Sequence, residues 1–188
     1  DSYSEYIGFA VPAASTLDAR QLLAKLRQDP ASLSFGFASS AGNQNHITIA
    51  MVAKAAGVDV KKLKTVVFAS GGQALTALLG GHVDVSSSGV SGSLPHHQAG
   101  RARIIAVAAP NRIPGPLAAV PTWKELGIDV VFSSWRSVIG PKGLTDAQLA
   151  YWDTVLKQLV ATEEWKKNLD ENLWVPHYMN SRESRVFI

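Results

Sequence analysis

Short apolar runs alternate along the chain with stretches whose apolar residues recur at helical spacing. Residues 6–11 predict a strand that Pro12 ends, and Thr16 is the expected cap of a helix carrying Leu22, Leu23 and Leu26 on one face. Residues 33–38 predict a second strand, followed by the polar loop Ser39-Ser40-Ala41-Gly42-Asn43-Gln44-Asn45-His46. A helix over 45–56 then stops at Gly57, the residue expected just past a helix end. Residues 64–68 predict a third strand, Ser70-Gly71-Gly72 leads into a helix over 73–79, and residues 83–86 predict a fourth strand.

A loop over 87–92 is expected to open the next helix, which runs toward Gly100, and residues 104–108 predict a fifth strand. Residues 110–121 contain four prolines and predict a loop. Thr122 and Glu125 have capping-box spacing, so a short helix is expected up to Gly127. Residues 130–132 and 137–139 are strand-like, and Pro141 ends them. Thr145 and Gln148 form a second capping box, opening a long amphipathic helix marked by Leu149, Trp152, Leu156 and Leu159. Residues 163–171 continue helical, 174–179 are strand-like, and Asn180-Ser181-Arg182-Glu183 begins a last helix.

Strands alternating with helices favour a mostly parallel sheet covered by helices. In such sheets ligands sit beyond the carboxyl ends of the strands. The segments 39–46, 69–72 and 87–92 meet that description, and all are rich in Gly, Ser or Asn. Small side chains let main-chain N–H groups approach a ligand, and helix N-termini favour negative charge. The pattern therefore predicts a site for carboxylates or similar anions; the plainer alternative is that Gly and Ser simply make good turns.

Composition narrows the field. The chain has 188 residues, 46% hydrophobic and 18% charged, which supports a folded core and excludes disorder. Its net charge of +3 is spread over both halves, so no nucleic-acid partner is expected. Cysteine is absent, which removes disulfides, thiolate metal clusters and thiol catalysis. No apolar run approaches the ~20 residues of a membrane helix.

Gly89-Val90-Ser91-Gly92-Ser93 falls short of a nucleophile elbow because Ser replaces the last Gly. No Gly-Lys-Ser/Thr phosphate loop and no G-x-G-x-x-G fingerprint occurs. His96 and His97 are adjacent, so they point to different helix faces and read as solvated side chains. His46, in the first turn of a helix beside the Ser/Asn loop, is placed to orient that loop or to touch a ligand. Acid–base groups are scarce near the three segments, which favours binding over catalysis; no enzyme activity, cofactor or metal is expected.

The segments Leu33-Ser34-Phe35-Gly36-Phe37-Ala38-Ser39-Ser40-Ala41-Gly42 with His46, Ser70-Gly71-Gly72-Gln73-Ala74-Leu75 and Leu79-Gly80-Gly81-His82-Val83-Asp84-Val85 occur in this order. Ala99-Gly100-Arg101-Ala102-Arg103-Ile104-Ile105-Ala106-Val107, Val120-Pro121-Thr122-Trp123-Lys124-Glu125-Leu126-Gly127 and Trp135 before Gly140-Pro141 follow. Together they resemble the extracytoplasmic solute receptors of tripartite tricarboxylate transporters, the Bug or TctC-like family. The resemblance implies a type II periplasmic-binding-protein fold of two α/β lobes with mostly parallel sheets, closing on a small carboxylated solute.

Residues 13–133 would then form the second lobe, and residues 1–12 with 134–188 the crossover strands and the C-terminal part of the first. Because family members carry a first strand and a Gly-rich loop ahead of this point, the first lobe is expected to be incomplete and to expose an apolar face. The last helix is expected to be cut short at its end. The expected ligand-binding residues are Ser39, Ser40, Gly42, Asn43, His46, Ser70, Gly71, Gly72, Ser87 and Ser88. Many relatives place an acidic residue after the strand at Asp84-Val85; Ser87-Ser88-Gly89 stands there instead, which favours a plain carboxylate over an amino acid.

The implied setting is periplasmic, with membrane permease subunits as partners. The competing expectation is the ligand-sensing domain of a transcription regulator, which shares the two-lobe architecture; a signal peptide or a DNA-binding helix pair upstream would separate the two.

Overall fold

Alternation of inward and outward side chains builds the central strand. In a computed structural model describing residues 2–188, β1 (Tyr3–Pro12) buries Ile7, Phe9 and Val11 on one face. These residues join Leu22, Leu23 and Leu26 of α1 (Ala19–Gln28), Phe35 and Phe37 of β2 (Ser34–Ala38), and Ile49 and Val52 of α2 (Gln44–Ala55) in one core cluster. Gly8 faces the other way, where a side chain would meet Val90 and Ile104. Helices therefore pack on both faces of the sheet.

The structure divides into two compact units. One is Tyr6–Ser133; the other joins residues 2–5 to Ser134–Ile188. In the first, β3 (Lys64–Phe68), β2, β4 (Val85–Gly89), β1 and β5 (Ala102–Val107) lie side by side in that order. β2 is parallel to both β3 and β4, and β1 is antiparallel to β4 and β5. Four strands thus run one way and β1 the other, a mostly parallel α/β sheet as expected. Helices α3 (Gly71–Leu79) and α4 (Val90–Gln98) follow β3 and β4.

In the second unit, β6 (Ser133–Arg136) and β7 (Val175–Pro176) pair with β1, the latter through Tyr3 opposite Pro176 and Ser4 opposite Val175. Helices α5 (Asp146–Ala161), α6 (Glu163–Asn172) and α7 (Ser181–Phe187) complete it. The apolar face predicted for α5 is present but is not buried: Trp152 and Leu159 are exposed, and Leu149 and Leu156 are only half-covered. A groove of about 410 Å³ lined by Val138, Ile139, Trp152, Leu156 and Met179 runs beside it.

Several local expectations are corrected. The cap of α1 is Asp18, not Thr16, because Asp18 and Gln21 complete a reciprocal capping box, with Gln21 N–H donating to Asp18 Oδ1 at 2.8 Å. No loop separates β4 from α4. Pairing of Ser87, Ser88 and Gly89 with Phe9, Gly8 and Ile7 extends the strand to the residue before the helix. The strand expected on either side of residues 133–136 lies on those residues themselves. His96 and His97 are half-buried, not solvated, and His97 Nδ1 accepts the Ile104 N–H at 3.2 Å. Among the described residues no helix is long and apolar enough to cross a membrane.

Candidate functional site

Parallel pairing decides where the predicted segments fall. Ala38 lies opposite Phe68, and Gly36 opposite Ser86, so the carboxyl ends of β2, β3 and β4 share one edge of the sheet. The turn after β2 is tied directly to the end of β3: the Ser39 N–H donates to the Phe68 carbonyl at 2.8 Å. Ser88 sits at the same edge from within β4, and Ser87 is buried one residue before it. All ten predicted residues therefore come from one unit and one side of its sheet.

Helix α2 begins at this edge with a dense cap. Asn43 Oδ1 accepts the N–H groups of Asn45 and His46, each at 3.1 Å, while Asn43 Nδ2 donates to the Ala38 carbonyl. Ser39 and Gly42 both adopt the left-handed conformation, with φ of 78° and 82°. The Gly42 N–H donates to His46 Nδ1 at 2.9 Å, and the His46 ring stacks on Phe37 with centroids 4.8 Å apart. Helix α3 is capped by Ser70, whose Oγ accepts the Gln73 N–H at 3.3 Å; Gln73 Oε1 in turn accepts the Ala69 N–H. Helix α4 has no side-chain cap at Gly89, and Ser88 Oγ bonds Ser93 Oγ at 3.1 Å.

These bonds sort the predicted donors. The N–H groups of Ser39 and Gly42 are used within the protein, so the expectation that Gly42 offers its N–H to a ligand is not met. Those of Ser40, Ala41, Gly71 and Gly72 have no partner among the described residues. Ser87 is not a free hydroxyl either: its Oγ donates to the Asn45 carbonyl at 3.2 Å, which pins α2 to β4. No Lys, Arg, Asp or Glu stands among the ten positions. What the edge offers an anion is main-chain N–H groups, hydroxyls and the positive ends of helix dipoles.

Asn45 is the residue that reading the sequence passed over. It occupies the first sheet-facing position of α2, ahead of Thr48, Ile49 and Val52, and is only 7% exposed. Its Oδ1 is buried without a partner among the described residues. The available signal was a polar side chain at the head of an otherwise core-facing stripe. Asp84, by contrast, is structural: its Oδ2 accepts both the N–H and the Oγ–H of Ser34, at the opposite edge of the sheet. A cleft of about 490 Å³ lies at that opposite edge too, between Pro12, Leu17, Lys25 and Asp84. It faces the amino ends of β2 and β4, away from the strand ends where α/β sheets place ligands.

Comparison with known proteins follows the same line. The chain is 27% identical over 181 residues to the UPF0065 protein in the gbd 5′ region of Cupriavidus necator, covering 96% of this chain and 54% of that protein. It is 30% identical over 135 residues to protein BugT of Bordetella pertussis, covering 71% of this chain and 39% of BugT. The chain thus spans about half, or less, of the length of these curated relatives.

Among solved structures, an R. palustris protein determined with adipate superposes with a TM-score of 0.87 at 22% identity, over 99% of this chain and 61% of that one. MatC from Rhodopseudomonas palustris with bound malate gives 0.81 at 18% identity, over 93% of this chain and 58% of that one. These likenesses establish a fold shared with periplasmic binding proteins. Residues 4–188 match the tripartite tricarboxylate transporter family receptor, TctC, and the chain belongs to that family.

Proposed function

We propose that this chain belongs to an extracytoplasmic receptor that binds a small carboxylate and hands it to the membrane permease of a tripartite tricarboxylate-type transporter. The observation that carries this reading is the shared sheet edge of β2, β3 and β4, where main-chain donors without a partner among the described residues meet helix N-termini and none of the ten positions is acidic. Family membership supports the receptor role, a periplasmic setting and a non-enzymatic protein, and it favours the receptor over a transcription regulator. The adipate and malate of the two structural relatives support a carboxylate as ligand.

In this reading residues 13–133 are one ligand-binding lobe, and residues 1–12 with 134–188 belong to the other. Ser40, Ser70, Gly71, Gly72 and Ser88 meet the carboxylate, while Ser39, Gly42, Asn43 and His46 shape the turn after β2 and Ser87 pins α2 to β4. Calorimetric titration of the full gene-encoded chain with adipate, malate and amino acids tests it. Binding of a plain or hydroxylated dicarboxylate in preference to amino acids is the expected result. Preference for the amino acids, or binding of neither class, overturns it.

A further inference from the structure

We propose that His46 is the positioning residue of this carboxylate cradle: its Nδ1 holds the turn at Gly42 in place, and through that turn it acts on the ligand without touching it. The inference rests on reading this edge as a carboxylate site. Gly42 is left-handed, and nothing lies within 4 Å of where its side chain would be, so packing does not hold the turn at that residue. What holds it is the 2.9 Å bond from the Gly42 N–H to His46 Nδ1. The ring making that bond is fixed from its other side, stacked on the buried Phe37 with planes 12° apart. The His46 N–H is itself bonded to Asn43 Oδ1, and Asn43 reaches back to the Ala38 carbonyl. The turn is thereby closed at both ends.

A nitrogen that accepts an N–H carries no proton of its own, so the His46 proton resides on Nε2. An imidazolium has no acceptor nitrogen and breaks the tie. His46 therefore does not supply the charge that balances a carboxylate. It sets the conformation in which the Ser40 and Ala41 N–H groups, which have no partner among the described residues, stay available.

Two substitutions separate this role from simple ring packing. His46→Phe keeps an aromatic ring on Phe37 and removes the acceptor; His46→Gln removes the ring and keeps an acceptor. In the full gene-encoded chain, with malate and adipate as calorimetric probes, His46→Phe is expected to weaken binding roughly tenfold. His46→Gln is expected to stay within about threefold of the unsubstituted protein. Wild-type affinity in His46→Phe, or equal weakening in both variants, overturns the proposal.

The nitrogen-15 spectrum of the imidazole, recorded without ligand near neutral pH, gives an independent answer even where a variant fails to fold. A proton on Nε2 with bare Nδ1 is expected for His46, and a proton on Nδ1 overturns the proposal. If the unsubstituted protein binds neither probe, the receptor reading is what fails, and the spectrum still decides the role of His46.

Discussion

Gly36 leaves no room for a side chain: a Cβ there would come within 2.9 Å of Val83 and 3.1 Å of Phe68. Gly36→Ala is therefore predicted to lower stability by about 1–3 kcal/mol through overpacking, read from the denaturant midpoint. Gly42 is the opposite case, with open space but a positive φ. Gly42→Ala costs about 1–2 kcal/mol from the backbone and disturbs the turn that His46 ties down. His96 adds a pH dependence. Burial, and then the nearby Arg101 charge, hold its pKa below the ordinary histidine value of 6.5. The folded protein thus resists a proton that the unfolded chain accepts, so this contribution is fully present above about pH 6.5 and is lost as the pH falls below it. Thermal unfolding across that range should show a smaller acid decline in His96→Leu than in the unsubstituted chain. At this scale the sequence pointed to the Ser, Gly and Asn positions but not to their bonding. That Gly42 spends its N–H on His46, and Ser87 its hydroxyl on Asn45, depends on contacts that spacing does not encode.

At the scale of elements, what is local is legible. The strand Lys64–Phe68 has the predicted ends, Thr145 with Gln148 forms the expected capping box, and the last helix begins at Asn180 as expected, there through a capping box with Glu183 that the sequence reading did not name. The short helix after Thr122 has its expected box too: Thr122 Oγ1 accepts the Glu125 N–H, and Glu125 returns the contact to the Thr122 N–H, before Gly127 turns left-handed. What depended on a distant partner was not legible. The start of α4 was displaced because β1, some eighty residues earlier in the chain, draws Ser87–Gly89 into the sheet. Helix α7 is also held from afar, since Asp153 on α5 accepts the Ser181 N–H and Oγ–H, both at 2.7 Å. Asp153→Asn is predicted to destabilise the chain by about 1–2 kcal/mol. It should also change Tyr178, whose phenol pKa is raised above 10 by burial and then by the Asp153 and Glu183 charges. Removing the Asp153 charge moves that titration part of the way back, which the ultraviolet absorbance of phenolate would follow.

For the whole molecule, the expectation of an α/β sheet of mostly one strand direction, with its Gly- and Ser-rich segments at one edge, agrees with the topology. The exposed apolar residues gather in the unit containing α5 to α7, where Val138, Ile139, Val186 and Ile188 are each more than 60% exposed. Ile139→Ser should therefore alter stability by no more than about 0.5 kcal/mol while reducing the binding of an apolar dye. Trp123 has a different use. It is fully buried against Phe9, its ring centroid 5.0 Å away, and the other four tryptophans, at 135, 152, 165 and 174, fall outside Tyr6–Ser133. An indole so enclosed emits at short wavelength and is beyond the reach of iodide. Trp123 is thus the most protected of the five indoles, and a rise in its quenching would report the opening of the unit that carries the cradle.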